Sequence, residues 1–273
     1  MIGGSRDAWQ ERSRTWAAIA PRGRAKDDAL NQLIVAEAGI APGEAVLDIA
    51  SGSGNPAVSI ALSLAGKGSV TCLDHACGML ETARGRAANL GLSIMGFVAA
   101  DMGALPFRDG TLDCVTCRFG IMSIDDKAGA AAEALRVLRP GGRAAYMVWG
   151  PYEQNPPFFV PRRAVAAFFG EEEGPVPTRH SMGAPGAIRA VMEAAGFVRI
   201  DEREMRYRNE VADHDTYVIN NLKRSFAKKL EDLDDGGRAR LKRAALDAWA
   251  PYCEDGAARI PNCARLGLGW QPG

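Results

Sequence analysis

Val46-Leu47-Asp48-Ile49-Ala50-Ser51-Gly52-Ser53-Gly54 is the stretch whose reading decides the fold. The apolar run Ala45–Ile49 has the character of a short buried strand. A glycine-rich turn follows. Asn55-Pro56 then opens a helix, because asparagine caps well and proline suits the first helical position. That helix continues through Val58, Ala61, Leu62 and Ala65 to Gly66. A strand, a glycine turn and a helix form the geometry in which backbone approaches a ligand closely. Gly52, Gly54 and Ala57 also fit the dinucleotide spacing G-x-G-x-x-A, which alone is weak evidence.

Outward from this unit the hydrophobic period keeps switching between strand and helix. Residues 5–38 read as helical, with Trp9 and Trp16 seven apart on one face, and Pro42-Gly43 turns the chain into the first strand. Strands are expected at Ser69–Leu73, Ile94–Ala99, Leu112–Cys117 and Arg143–Val148, with helices over 77–90 and 127–138 between them. Strands alternating with helices on short loops imply a parallel sheet covered on both faces. Residues 151–184 break the rhythm with six prolines, at positions 151, 156, 157, 161, 175 and 177, and the acidic run Glu171-Glu172-Glu173. Because Phe158, Phe159, Phe168 and Phe169 need burial, this excursion is expected to pack over the sheet. A helix around 186–195, a strand Val198–Arg206, helices near 214–230 and 236–250 and a last strand Ile260–Leu268 complete the chain. The expected organisation is a helical cap over 1–40, a core over 41–150, a lid over 151–184 and completion of the sheet over 185–273.

Charge at the strand ends separates two kinds of ligand. Asp48 would favour a cation near the turn and repel a pyrophosphate, and Pro56 removes a backbone donor that an anion would use. Asp74, about twenty residues past the glycines, is placed to accept hydrogen bonds from both ribose hydroxyls. Asp101 ends the third strand and would accept from an adenine amine, with Met102 beside it. S-adenosylmethionine carries a sulfonium and an ammonium but no phosphate, and it matches this pattern. A nicotinamide-dependent oxidoreductase is the rival reading.

Four segments in order then carry a resemblance to class I methyltransferases. Asp48-x-Ala50-x-Gly52-x-Gly54 resembles their first motif, with Ala50 where a glycine usually stands. Asp74-His75-Ala76-Cys77-Gly78-Met79-Leu80 resembles the second, and Asp101-x-x-x-Leu105-Pro106-Phe107 the third. Arg136-Val137-Leu138-Arg139-Pro140-Gly141-Gly142-Arg143 is similar to the turn before their fifth strand. The resemblance covers about residues 40–150 and is nearest the ubiquinone/menaquinone-biosynthesis-like branch and its natural-product relatives. It implies a Rossmann-like seven-stranded, mostly parallel α/β sheet of order 3-2-1-4-5-7-6, helices on both faces and an antiparallel last strand. The implied activity is transfer of a methyl group from S-adenosylmethionine to a small molecule, with O-methylation favoured over C- or N-methylation. A methyltransferase fold doing non-methylating, pericyclase-like chemistry is a further alternative.

The implied cofactor contacts are Asp48, Ala50, Ser51, Gly52, Gly54, Asp74, His75, Met79, Asp101, Met102 and Arg118. Trp16, Tyr152, Phe158 and Phe159 are candidates for the acceptor pocket, and His180 for a general base acting on a hydroxyl or amine. Cys114 and Cys117 fit C-x-x-C, but an offset of three on a strand puts the thiols on opposite faces, and three scattered histidines give zinc no support. The chain of 273 residues is 47% hydrophobic and 24% charged, with 33 basic and 33 acidic residues. That balance disfavours nucleic acid as a partner. Six cysteines without disulfide-type spacing, no leader-like start and no bilayer-length apolar run point to a soluble cytoplasmic protein.

Overall fold

The computed structural model describes Asp7, residues 9–11, Ser13, residues 29–254 and residues 257–273. Within them α1 (Ala29–Glu37) leads to β1 (Ala45–Ile49), α2 (Ala57–Ser63), β2 (Ser69–Asp74), α3 (Cys77–Asn89) and β3 (Met95–Ala99). Then come β4 (Leu112–Arg118), α4 (Lys127–Val137) and β5 (Leu138–Trp149). The later part holds α5 (Pro156–Phe169), α6 (Ala187–Ala195), β6 (Val198–Val211), α7 (His214–Glu231), α8 (Asp235–Trp249), β7 (Cys253–Glu254) and β8 (Ala257–Trp270).

The strands join in the order β3-β2-β1-β4-β5-β8-β6, with the two-residue β7 attached to β8. β1 to β5 run parallel, and β8 is antiparallel to both β5 and β6. This is the expected order, the last strand being β8 because the short β7 precedes it. Strand order reverses between β1 and β4, so the crevice where such sheets hold ligands opens at their carboxyl ends.

Near-continuous apolar sequence in β1, β4 and β5 follows from cover on both faces. Leu47, Ile49, Val115, Cys117, Tyr146 and Val148 pack on one face with Ala130, Ala134, Ile188 and Met192 of α4 and α6. Val46, Val70, Cys72, Cys114, Ala145 and Met147 pack on the other with Ile34, Val58, Ile60 and Leu80 of α1 to α3. Cys114 and Cys117 thus go to opposite faces, as their offset requires. Burial pushes both thiols up to about 12, so they are packing groups.

The excursion after β5 is more ordered than its prolines suggest. Pro156 and Pro157 occupy the first positions of α5, and Gly170, at φ 66°, ends it in the left-handed conformation. α5 does not simply lie on the sheet. Its Val160 and Val165 join Val218 and Leu222 of α7, Leu241, Ala245 and Trp249 of α8, and Ala258 and Ile260 of β8 in a third apolar cluster. Phe159, Phe168 and Phe169 pack against this cluster. The two helices expected only to complete the sheet therefore pack with α5 as one layer. Their apolar faces have no core to join except the one α5 brings.

Trp249 is fully buried at the centre of that cluster, edge-on to Tyr217 (5.5 Å) and Tyr252 (5.6 Å). Trp249→Ala is expected to cost about 3–5 kcal/mol. The loss should fall on the lid: hydrogen exchange should show α5, α7 and α8 opening while β1–β5 keep their protection. Uniform loss of protection across the sheet would contradict separate lid packing.

Candidate active site

The turn after β1 is held in place by the end of β2. Ser51 N–H donates to the Leu73 carbonyl (3.0 Å), and Gly52 N–H donates to Asp74 Oδ2 (2.9 Å). Asp74 Oδ1 accepts from Ala76 N–H (2.9 Å). Each carboxylate oxygen keeps a lone pair for a further donor. The turn needs left-handed backbone at Gly52 (φ 53°) and Gly54 (φ 95°), and a Cβ on Gly54 would lie 3.3 Å from the Ala83 Cβ of α3.

Ala50 also takes the left-handed conformation, at φ 54°, so the alanine at this motif position carries real backbone strain. Its methyl group fits because Gly120, just past β4, has no side chain. A Cβ there would collide with Ala50 Cβ and Cys117 Sγ.

Two residues expected to touch the cofactor lie behind the turn instead. Asp48 is completely buried, because it is paired on both sides, with Cys72 and Thr116, inside the sheet rather than at its rim. Its Oδ1 accepts from Thr116 Oγ1 (2.6 Å), while Oδ2 lies near the Ala57 amide without a hydrogen bond of good geometry. Burial raises this carboxyl to about 7, against the pull of Thr116, Ala57 and Arg118. Arg118 shares Asp48's face of the sheet. It donates to Asn31 Oδ1 (2.7 Å) and lies over the Phe119 ring.

Asn31 Nδ2 in turn donates to Asn55 Oδ1 (3.2 Å), which also accepts from Arg86 (3.2 Å). Arg86 donates to the Ser53 carbonyl as well (2.5 Å). Asn55 does not cap α2: the N-cap is Pro56 and no side chain bonds there. Sequence reasoning missed Asn31 and Arg86, whose only signal is a polar residue on an otherwise buried helix face.

At the rim the expected residues do gather. His75 follows Asp74, and its Nε2 is buried without a hydrogen-bond partner among the described residues. Met79 and Met102 are buried nearby in sequence to the two rim acids, and exposed Asp101 holds the next turn by accepting from Gly103 N–H (2.8 Å). Gln10 Oε1 accepts from Gly78 N–H (3.2 Å), and Ser13 packs against Gly78, so the N-terminal segment reaches the start of α3. The rest of it, Trp16 included, lies outside the described residues. Acids face this crevice while Arg86 and Arg118 turn to the back of the loop. That donor set fits a cationic nucleoside and not a pyrophosphate. Among the described residues no group of three His, Cys, Asp or Glu side chains is placed to hold a metal ion.

An aromatic column stands over the ends of β4 and β5. Phe119 and Trp149 stack in parallel at 3.9 Å, Phe158 meets Trp149 edge-on at 4.9 Å, and His180 meets Phe158 at 5.0 Å. Phe119 and Trp149 were not anticipated from sequence, because nothing local marks two strand-end rings 30 residues apart as partners. Tyr152 flanks His180 at 5.2 Å, but its hydroxyl is bonded to Glu173 and Arg162 and is pushed up to about 12 by burial and by Glu173. Phe159 turns away from the column to Arg163 and the lid cluster. Tyr152 and Phe159 thus do not meet the Phe119–Trp149 stack, and Phe158 is the α5 ring that does.

The fold is that of Rossmann-like, mostly parallel α/β domains, and its crevice sets the Asp74 carboxylate against a glycine turn. Residues 27–154 match the ubiE/COQ5 methyltransferase family. The ubiquinone/menaquinone biosynthesis C-methyltransferase UbiE of Francisella philomiragia is 33% identical over 148 residues, 50% of this chain and 59% of that protein. The chain thus spans under two thirds of that curated relative. Phosphoethanolamine N-methyltransferase 2 of Haemonchus contortus, solved with S-adenosyl-L-methionine, is similar at TM-score 0.59 and 16% identity, over 98% of this chain and 58% of that one. The [4+2]-cyclase SpnF is similar at TM-score 0.57 and 18% identity, over 97% of both chains.

Ala50→Gly should stabilise the protein by about 1 kcal/mol by relieving the left-handed alanine. Gly120→Ala should destabilise it, and the pair Ala50→Gly/Gly120→Ala should recover more than the sum of the single effects. Denaturant unfolding of the four proteins measures this coupling, and simple additivity would refute the contact.

Because Asp48 is raised from its unfolded value to about 7, its contribution to stability is full below pH 4 and is lost as pH rises towards 7. Asp48→Asn should therefore gain on the parent between pH 5 and pH 8, by about 2–4 kcal/mol. A pH-independent difference in unfolding free energy would exclude the buried acid.

Proposed function

We propose that this protein transfers a methyl group from S-adenosylmethionine to a small, flat acceptor bearing a ring hydroxyl, of phenol or hydroquinone type. The observation that carries the cofactor half is the Asp74 carboxylate set against the glycine turn, 2.9 Å from Gly52 N. With two backbone donors already fixing it, it can take the ribose hydroxyl pair without reorganising. Met79 and Met102 offer apolar surface on the adenine side. S-adenosylmethionine supplies an electrophilic methyl group on a sulfonium.

The acceptor half rests on the stacked Phe119–Trp149 pair and the edge of Phe158 at the β4 and β5 ends. Such walls select a flat apolar body with few polar groups. Closure of the lid would keep water from the reacting atoms, and alignment supplies much of the catalysis. The C-methyltransferase named among the relatives supports a quinol-like ring. Ionising a ring hydroxyl activates both its oxygen and the adjacent carbon, so one pocket serves the O-methylation expected from sequence and the C-methylation of the relatives. The matched segment ends at residue 154, before the lid, so the acceptor is read from the walls themselves.

Asp74→Ala should weaken S-adenosylmethionine binding about 10–100-fold, the loss of a charge-assisted bond of about 1.5–3 kcal/mol. Trp149→Ala should leave that affinity alone and raise the acceptor KM about tenfold. Calorimetry and S-adenosylhomocysteine release with phenol and hydroquinone acceptors test both. Acceptor turnover without S-adenosylhomocysteine would overturn methylation in favour of non-methylating chemistry, such as the [4+2] cyclisation named for the cyclase neighbour.

A further inference from the structure

His180 ends a short 3₁₀ turn, Thr178–His180, and is 7% exposed. Its Nδ1 lies 2.8 Å from the Gly150 carbonyl, directly after β5. A carbonyl oxygen only accepts, so Nδ1 must carry the proton in that bond. The lone pair of the neutral ring is then on Nε2. That atom is buried and makes no hydrogen bond among the described residues. Leaving such an atom unpaired is costly, and a hydroxyl-bearing ligand beside the ring would satisfy it. Asn155 nearby shows the contrast: it is fully buried, yet its Nδ2 donates to the Pro151 carbonyl and its Oδ1 accepts from Cys263 N–H.

Position supplies the rest. Phe158 and Tyr152 wall the imidazole, and Ser181 Oγ, one residue on, donates to the Met122 carbonyl beyond β4 (3.3 Å). The ring therefore overhangs the β4 and β5 ends, one aromatic side chain away from the Phe119–Trp149 stack. Other titratable groups are occupied or misplaced for this task. The Tyr152 hydroxyl and Glu173 are bonded to each other, Glu173 also pairs with Arg163 at 3.0 Å, and Asp48 is sealed behind the turn.

We propose that His180 Nε2 is the general base that removes the hydroxyl proton of the acceptor. This rests on the hydroxyl-bearing acceptor proposed above. In the step, the acceptor O–H proton passes to Nε2 and the O–H electron pair stays on the acceptor, on oxygen or delocalised to the adjacent ring carbon. That pair forms the bond to the methyl carbon while the carbon–sulfur pair leaves with sulfur as a neutral thioether. His180 then returns its proton to water when the lid opens.

The charges around the ring suit this task. Burial is the main influence and lowers His180 below the usual histidine value; Arg179 on its own turn and Arg162 of α5 push the same way. The Gly150 carbonyl and Glu153 oppose them, and Tyr152, the remaining titratable neighbour, stays protonated. The base form is thus present at neutral pH and is lost only on acidification.

The test compares the parent with His180→Asn, whose amide can still donate to Gly150, and with His180→Gln. With a weakly acidic phenol, both variants should lose about 100-fold or more in kcat/KM and the acid limb of the pH profile, with S-adenosylmethionine affinity unchanged. With a nitro-substituted phenol, already ionised at the assay pH, the loss should shrink to about threefold or less. Equal losses with both phenols, or an unchanged pH profile, would overturn the base role while leaving methyl transfer intact. Imidazole nitrogen spectra give a readout independent of turnover, since the chain has only three histidines. They should show His180 as the Nδ1–H tautomer, neutral below the usual histidine range; an Nε2–H tautomer would refute the assignment. If the parent methylates amines or thiols but no phenol, the acceptor class and the base role fall together.

Discussion

Asp74 ties the turn after β1 to the end of β2, and the site depends on that tie. Two backbone amides from different segments meet on one carboxylate, Gly52 from the turn and Ala76 from the start of α3. Charge-assisted bonds of this kind are about twice as strong as neutral ones. They fix the carboxylate's position at the crevice through the backbone itself. Preorganisation of this sort is what makes a short loop an effective binding element.

The back of the same turn is held by a buried polar chain: Arg86 to Ser53 and Asn55, Asn55 to Asn31, Asn31 to Arg118. Such networks stabilise only when their members are satisfied, and they fix a unique arrangement when they are. Asp48 sits beside this chain as the least comfortable member, bonded through one oxygen and raised by burial. Strain is also stored in Ala50, whose methyl group occupies the space that Gly120 leaves open. The loop is therefore braced on three sides, by β2 in front, by the polar chain behind and by the β4 turn beneath.

Over the ends of β4 and β5 the architecture is of another kind. The rings come from three places in the chain, Phe119 after β4, Trp149 ending β5 and Phe158 in α5, with His180 from the turn beyond. α5 is held in register by its own apolar cluster with α7, α8 and β8. The lid thus has a core separate from the two that sandwich the sheet. Changes in that packing can move Phe158 and His180 without disturbing the Asp74 tie.

What the sequence determined by itself is the β1–β5 half of the sheet. Strand and helix periods and turn glycines are local signals, and they delivered the alternation of strands and helices and the glycine turn, while the sheet order followed from the family resemblance that the motifs carry. The opposite facing of Cys114 and Cys117 was legible for the same reason, since strand parity is local. The sequence put Asp48 at the ligand, but whether a strand-end acid lies at the rim or inside the sheet depends on its neighbours on both sides. Only the tertiary structure decided that. It likewise decided the fates of Arg118, Asn31 and Arg86, the pairing of α5 with α7 and α8, and the division of adjacent Phe158 and Phe159 between pocket and lid core. Each of these depends on contacts between residues far apart in the chain, for which no spacing along the sequence is a signal.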